Sequence, residues 1–545
     1  MTVQTLVNKT QNTILSAAFI ISASSGIGAL LGVIKNRLLA HHFGVSKELA
    51  IFYTSDYIPG LLYSVLIVGA VSTVFIPIFT SLLKIDKNTA YKTASSIINS
   101  VLILFLCLGS VIIVFSPQIF NLISLNKFTE TDASLGSNLM RIMTVSQMLL
   151  VAGSLTTSIL QSYKYFLIPA LAPIVYNIGM IMGIIILSPV FGIYGPAVGV
   201  LFGAAMHFII QIPILKNTGF IYLLDIDIKD SNFNKMMSLI PSRIGSVLIA
   251  NLIQTINNSL AIFISSASVI TLKFANQLQG FPVALFGFSI ASASLPTLSS
   301  EGENKDLSSF KKTLITSFHQ MMFLVMPLSM ILFILRVPVV RLVYGVSNFP
   351  WEATLETASV LSIFSFSIFA QSANYLLTRS FYALKDTKTP LILSIATSAL
   401  NIAISLLLIK VFKFGIWSVA FSYSVTSILD TVILLYLLGT KTGGIETSNI
   451  FNPFAKISIS TLLMGLTLYI PIKLLDQVIF DTTRTINLLI LTSIAGICGV
   501  ITYLLFTKIF KVEEIELLYK ILRKLKITKD SAGTEISPVT ETPAE

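Results

Sequence analysis

Residues 69–77, GAVSTVFIP, return at residues 287–296 as GFSIASASLP, and the closing prolines, Pro77 and Pro296, stand 219 positions apart. Two later landmarks keep nearly the same step. Residues 160–177, LQSYKYFLIPALAPIVYN, match residues 381–401, FYALKDTKTPLILSIATSALN, with Pro169 and Pro390 separated by 221. Residues 191–194, FGIY, match residues 414–417, FGIW, at 223. Three landmarks in one order with almost one offset describe an internal repeat of roughly 220 residues.

Outside these landmarks the chain is nearly continuous apolar sequence. Hydrophobic residues make up 54% of its 545 residues and charged residues only 11%, against about 45–50% and about 25% in soluble domains. Water cannot accommodate that much apolar surface, whereas a bilayer accepts one helix for about every 20 apolar residues. Backbone groups in lipid must bond within their own segment. Long apolar runs therefore predict helices, while a barrel would show short alternating segments. Fourteen such runs extend from 12–40 to 484–507, so the expected fold is an all-α polytopic membrane protein. Twelve spans form two six-helix lobes, residues 1–220 and 221–445. Two extra transmembrane helices follow over 446–510, then a basic amphipathic helix and a disordered tail over 511–545.

Charge in the connections sets the expected orientation. Lys84, Lys87, Lys92, Lys305, Lys311, Lys312, Arg379, Lys385 and Lys388 all fall in connections on one side, and the loops near Ser188 and Ser265 on the other side carry no lysine or arginine. This asymmetry predicts both termini in the cytoplasm. Six is even, so both lobes cross in the same sense and are parallel repeats. The formal charge of +11 is spread through these loops and does not point to nucleic acid. Cys107 and Cys498 lie in apolar runs and the four histidines show no ligand spacing, so no metal or cofactor is expected. Phosphate-binding loops and zinc-protease motifs are missing too, and the Glu352/Glu356 pair is too little for a glycosyltransferase; no enzyme is expected.

Ionisable groups inside spans are costly and mark pathways or cavities. Lys35 and Arg37 lie late in the first span, Arg243 opens the seventh, and Lys273 lies early in the eighth. Asn276 and Gln277 follow Lys273, while Asn251, Gln254 and Asn258 share one face of the seventh span. Cations neutralise phosphate and amides bond hydroxyls, so this set suits an anionic, sugar-bearing head group. The substrate-binding candidates are Lys35, Arg37, Arg243, Lys273, Asn276, Gln277 and Gln254. Packing or snorkelling is the alternative role for each, above all for Arg37 and Arg141. Asp430 with Asn401 is the candidate route for coupling to H+, Na+ or the membrane potential. An interhelical hydrogen bond is the competing reading.

Residues 32–77, GVIKNRLLAHHFGVSKELAIFYTSDYIPGLLYSVLIVGAVSTVFIP, resemble the start of the MurJ (MviN)-type lipid II flippases. Residues 274–282, FANQLQGFP, are similar to that family's Tyr-Ala-Asp-Arg-Leu-x-x-Phe-Pro, and residues 380–390, SFYALKDTKTP, to its Ser-Phe-Tyr-Ala-x-x-Asp-x-x-Thr-Pro. The resemblance covers roughly residues 10–510. It implies the multidrug/oligosaccharidyl-lipid/polysaccharide exporter fold, with the last two spans forming a groove for an undecaprenyl tail. It also implies translocation of lipid II, an undecaprenyl-diphosphate-linked peptidoglycan precursor, from inner to outer leaflet by alternating access. Expected partners are that lipid-linked glycan, membrane lipids and cell-wall synthesis proteins. The family's arginines of spans one, two and eight fall here on Ala29, Tyr63 and Gln277, and its span-eight aspartate on Asn276. Only Lys35 keeps a family charge, and Lys273 and Arg243 are the candidates for restoring the others. A polysaccharide-unit exporter, a drug antiporter or a non-transporting scaffold of cell-wall assembly are the alternatives.

Overall fold

A computed structural model describes residues 14–227, 230–304, 306–444, 446–475 and 484–516, with the side chains of 14–23, 25, 68–74, 77, 231–232, 235–244, 246, 250, 447 and 475 left aside. The helix Ile14–Phe43 comes first, then Lys47–Tyr63, which runs through a π-helical segment, Ser64–Val71, into Ser72–Ile85. Next come Lys87–Val114, Glu130–Ser162, Leu167–Met182 with the π segment Gly183–Leu187, and Tyr194–Ile209. The second series is Ser231–Ile264, Ser266–Pro282 with Val283–Phe288 and Ser289–Glu301, Ser308–Ile334, and the pair Trp351–Ser365 and Ile368–Ala383. Lys388–Leu406 with Leu407–Val411 and Trp417–Lys441 complete it; Thr447–Leu475 and Thr485–Ile509 follow. No strand occurs among the described residues.

Among the described residues, twelve helices are long and apolar enough to cross a bilayer, or thirteen when the pair bent by 46° counts as one broken span. The Ile14–Phe43 helix, 30 residues long, occupies the place of the first expected span and lies outside that tally. The all-helical membrane fold is as expected; the figure of fourteen is reached only if this helix is counted as well. Exposed side chains such as Ile392, Leu462, Leu466 and Ile497 give the spans the apolar exterior that lipid requires.

The break in the tenth span has no proline or glycine to announce it. At the break the Ser367 amide donates to Phe364 O at 2.9 Å, and Ser367 Oγ donates to the same oxygen at 3.0 Å and lies 3.0 Å from Ser424 Oγ. Those bonds keep the serine hydroxyls satisfied in a dry interior.

The repeat has a backbone counterpart. The π segments Ser64–Val71 and Val283–Phe288 begin 219 residues apart, at 64 and 283. Those beginning at 183 and 407 are 224 apart. Left-handed residues recur as well: Lys164 and Lys385, at φ 64° and 59°, are 221 apart, as are Gly192 and Lys413, at φ 54° and 57°. Three of these four π turns contain or directly follow glycine or proline, where the regular helical ladder is easiest to disturb; Leu407–Val411 does neither.

By contacts the chain gathers into two compact units. One comprises Met1–Phe281, Arg336–Ser367 and Asp386–Val432; the other comprises Pro282–Leu335, Ile368–Lys385 and Ile433–Glu545. In the first unit, Gly179 and Gly183 face Gly195, Gly199 and Gly203, so two helices approach backbone to backbone; a Cβ on Gly199 would lie 2.8 Å from Gly183 Cα. Small residues spaced by four are how helices associate where lipid removes the hydrophobic drive. In the second unit Thr447–Leu475 packs on Thr485–Ile509 and on Ser308–Ile334. Tyr503 Oη donates to Phe323 O at 2.7 Å there. Most of the expected amphipathic tail, residues 517–545, lies outside the described residues. The part that is described buries Val512 and brings Glu514 Oε1 to 3.8 Å from His319 Nδ1.

Candidate functional site

The site lies wholly in the first unit and is built around Lys273. Its helix, Ser266–Pro282, starts where Ser265 Oγ accepts from the Ser268 amide at 3.0 Å, which satisfies one of the free N–H groups of the first turn. Two turns later the Lys273 ammonium stands 5.3 Å from the ring centroid of Tyr57 and 5.5 Å from that of Tyr53. Tyr53 and Tyr57 are four apart on Lys47–Tyr63 and therefore share a face. A desolvated ammonium over aromatic faces gains up to about 2 kcal/mol from the ring quadrupoles, which helps to keep the charge inside the bilayer.

Lys35 approaches from the Ile14–Phe43 helix. It is half-buried and lies in the electrostatic field of both Lys273 and Asp56. Its neighbour Asn36 is buried and accepts from Tyr53 Oη at 3.4 Å, which ties the first helix to the tyrosines that hold Lys273. Asp56 Oδ1 accepts from Gln147 Nε2 at 3.1 Å.

Beside Lys273 is a cavity of about 60 Å³ lined by Tyr57, Gln254, Asn257, Asn276, Phe364 and Tyr423 among others. Asn257 Oδ1 is buried there without a hydrogen-bond partner. An unpaired buried oxygen is costly and is satisfied when a donor enters. A cavity of that size holds a few waters, so a sugar needs it to widen.

Of the sequence candidates, Lys273, Gln254 and Asn276 come together at this cavity, with Lys35 in the electrostatic field of Lys273. Asn276 also accepts from Gln279 Nε2 at 2.7 Å. Gln277 points to the first helix instead, its Nε2 3.7 Å from where a Cβ on Gly32 would stand. Arg37 leaves the group: it donates to Leu342 O and, at 3.1 Å, to Val343 O, so it caps the carbonyl end of the Arg336–Tyr344 helix. The guanidinium fork suits two adjacent carbonyls, and the first span brings it to the level of that helix end. Arg243 falls on the Ser231–Ile264 helix, and its side chain lies outside the described residues. Asp430 has Thr397 as its hydrogen-bonding neighbour and a buried Oδ1 without a partner. Asn401, one turn beyond Thr397, has both amide atoms buried and unpaired. Val419 and Tyr423, on the helix that carries Asp430, line the cavity, with Asp430 two turns further along.

Sequence reasoning missed Tyr53, Tyr57 and Gln147. The signal was present in residues 53–57, YTSDY, a polar and aromatic cluster set into an otherwise apolar run, but its partner lies 216 residues beyond Tyr57, at Lys273. At the positions where the resemblance expects arginine, Tyr63 Oη lies 2.9 Å from Ser154 Oγ and Ala29 is exposed.

A family model described as lipid II flippase MurJ matches residues 39–491. Among curated relatives, the probable lipid II flippase MurJ of Buchnera aphidicola subsp. Acyrthosiphon pisum is 28% identical over 511 residues, covering 92% of this chain and 98% of its own length. The lipid II flippase MurJ of Thermosipho africanus is 27% identical over 498 residues, covering 91% and 97%. Among solved structures, a lipid II flippase MurJ in an inward closed conformation superposes with a TM-score of 0.76 at 24% identity, covering 91% of this chain and all of that one. An inward-facing multidrug resistance MATE transporter of the MOP superfamily gives a TM-score of 0.63 at 13% identity, covering 76% of this chain and 94% of its own. These two likenesses establish the fold.

Proposed function

This chain belongs to the lipid II flippase MurJ family, and on that premise we propose that it carries lipid II from the inner to the outer leaflet with Lys35 and Lys273 as the seat of the diphosphate. The observation that carries this reading is Lys273 at the edge of an amide-lined cavity, with Lys35, from a distant helix, within its electrostatic reach. Ammonium groups neutralise the diphosphate, and Gln254, Asn257 and Asn276 offer hydrogen bonds to sugar hydroxyls. Lys273 supplies the cation that the family places at Gln277, one turn further along the helix. Lys35 and Lys273 bind phosphate as point charges, without the bidentate fork of arginine.

Alternating access moves the loaded head group across while the lipid tail stays in the membrane. The division into lobes at 1–220 and 221–445 with a pair at 446–510, both termini on the cytoplasmic side of the inner membrane, and contact with cell-wall synthesis proteins belong to the same proposal. Asp430 and Asn401, with their unpaired buried atoms, are the candidates for coupling to H+, Na+ or the membrane potential. A drug antiporter would place carboxylates where this chain places lysines.

Complementation of a flippase-depleted strain tests the reading. Lys35→Ala and Lys273→Ala are each expected to abolish growth at wild-type protein levels, and normal growth of both refutes the assigned site.

A further inference from the structure

Asp56 has no place in the proposed binding chemistry, yet it sits in the same cluster as the two lysines. It lies on the helix that carries Tyr53 and Tyr57, whose rings hold Lys273, one turn beyond Tyr53 and next to Tyr57, and it lies in the field that acts on Lys35. Among the described residues neither lysine closes an ion pair with it; its Oδ1 is held 3.1 Å from Gln147 Nε2. We infer that Asp56 is an internal counter-anion, clamped by Gln147 near the lysines but out of contact with them, that sets how tightly the site holds a diphosphate and how readily it lets go. This rests on the reading of Lys35 and Lys273 as the diphosphate seat.

The physical argument is one of charge. Two ammonium groups within each other's field inside a bilayer are costly, and a nearby carboxylate lowers that cost while the site is empty. Direct ion pairs would do so more strongly, but a diphosphate would then have to break them. Gln147 avoids that by taking one carboxylate oxygen for itself. Once a diphosphate is seated, the carboxylate becomes a like charge close to it and weakens its hold. A flippase needs such a limit, because a substrate bound too tightly on one side is not released on the other.

The test measures binding of lipid II, and of a polyprenyl diphosphate without sugars, to detergent-solubilised protein, alongside flipping in vesicles. Asp56→Asn is expected to bind both lipids about tenfold tighter, through a slower off-rate, and to flip lipid II more slowly. Asp56→Glu is expected to stay near wild type. Gln147→Leu keeps the charge but unties it and is expected to weaken binding, which gives a second readout if Asp56→Asn does not fold. Binding of Asp56→Asn no tighter than wild type, or unchanged or tighter binding by Gln147→Leu, overturns the inference. Unchanged binding by Lys35→Ala and Lys273→Ala would instead overturn the underlying site.

Discussion

Tyr57 holds one face of the Lys273 ammonium and Tyr53 another, so the aromatic rings are part of the charge's solvation. Removing one ring forfeits about 0.5–2 kcal/mol of that solvation. Tyr57→Leu is therefore expected to weaken lipid II binding several-fold, while Tyr57→Phe, which keeps the ring, stays near wild type; titration of the purified variants checks both. At this scale the sequence was only half legible. Intramembrane lysine is rare enough to be conspicuous, so Lys35 and Lys273 stand out in the sequence as candidates. Arg37 was equally conspicuous, but its partners are carbonyls 305 and 306 residues away. No local pattern distinguishes a cation that caps a helix from one that awaits a ligand.

Helix ends and turns make their own predictions. Gly44 has φ +57°, and a Cβ there would run into the carbonyl oxygen of Asn348, whose side-chain amide donates to His41 O at 2.6 Å. Gly44→Ala is expected to destabilise the protein by at least about 1 kcal/mol, read as a lower Tm in detergent. Asp86 caps the Lys87–Val114 helix. Hydrogen bonds from the Thr89 hydroxyl, then from the Thr89 and Asn88 amides, hold its carboxyl below the ordinary carboxylate value. A depressed native value gives stability that is present above about pH 4, the unfolded value, and lost as pH falls through the native one. Asp86→Ala is accordingly expected to lower Tm at neutral pH, with the difference from wild type shrinking on acidification. Caps and spans follow local rules, so most helices were readable from apolar length. The π segments and the 46° break in the tenth span were not, because serine hydroxyls and distant helices compensate the displaced backbone groups. The Gly179–Gly183 contact with Gly199 shows the same limit: its spacing was in the sequence, its partner was not.

For the whole molecule, the repeat read from prolines survives as a repeat of backbone irregularities, the π turns and left-handed residues at steps of 219 to 224. Proline and glycine were legible landmarks because they mark where a helical ladder is disturbed. The orientation proposed from loop charge makes a prediction at this scale. In a background with Cys107→Ser and Cys498→Ser, Lys87→Cys and Glu303→Cys are each expected to react with a membrane-impermeant thiol reagent in inverted vesicles and not in intact spheroplasts. The central claim is that two lysines inside the bilayer carry the diphosphate of lipid II. Its most direct measurement is lipid II translocation in reconstituted vesicles by the wild type and by Lys35→Ala and Lys273→Ala. The account predicts flipping by the wild type and loss of at least about nine-tenths of the rate in each variant, the tenfold equivalent of about 1.4 kcal/mol. Wild-type rates in both variants would contradict it.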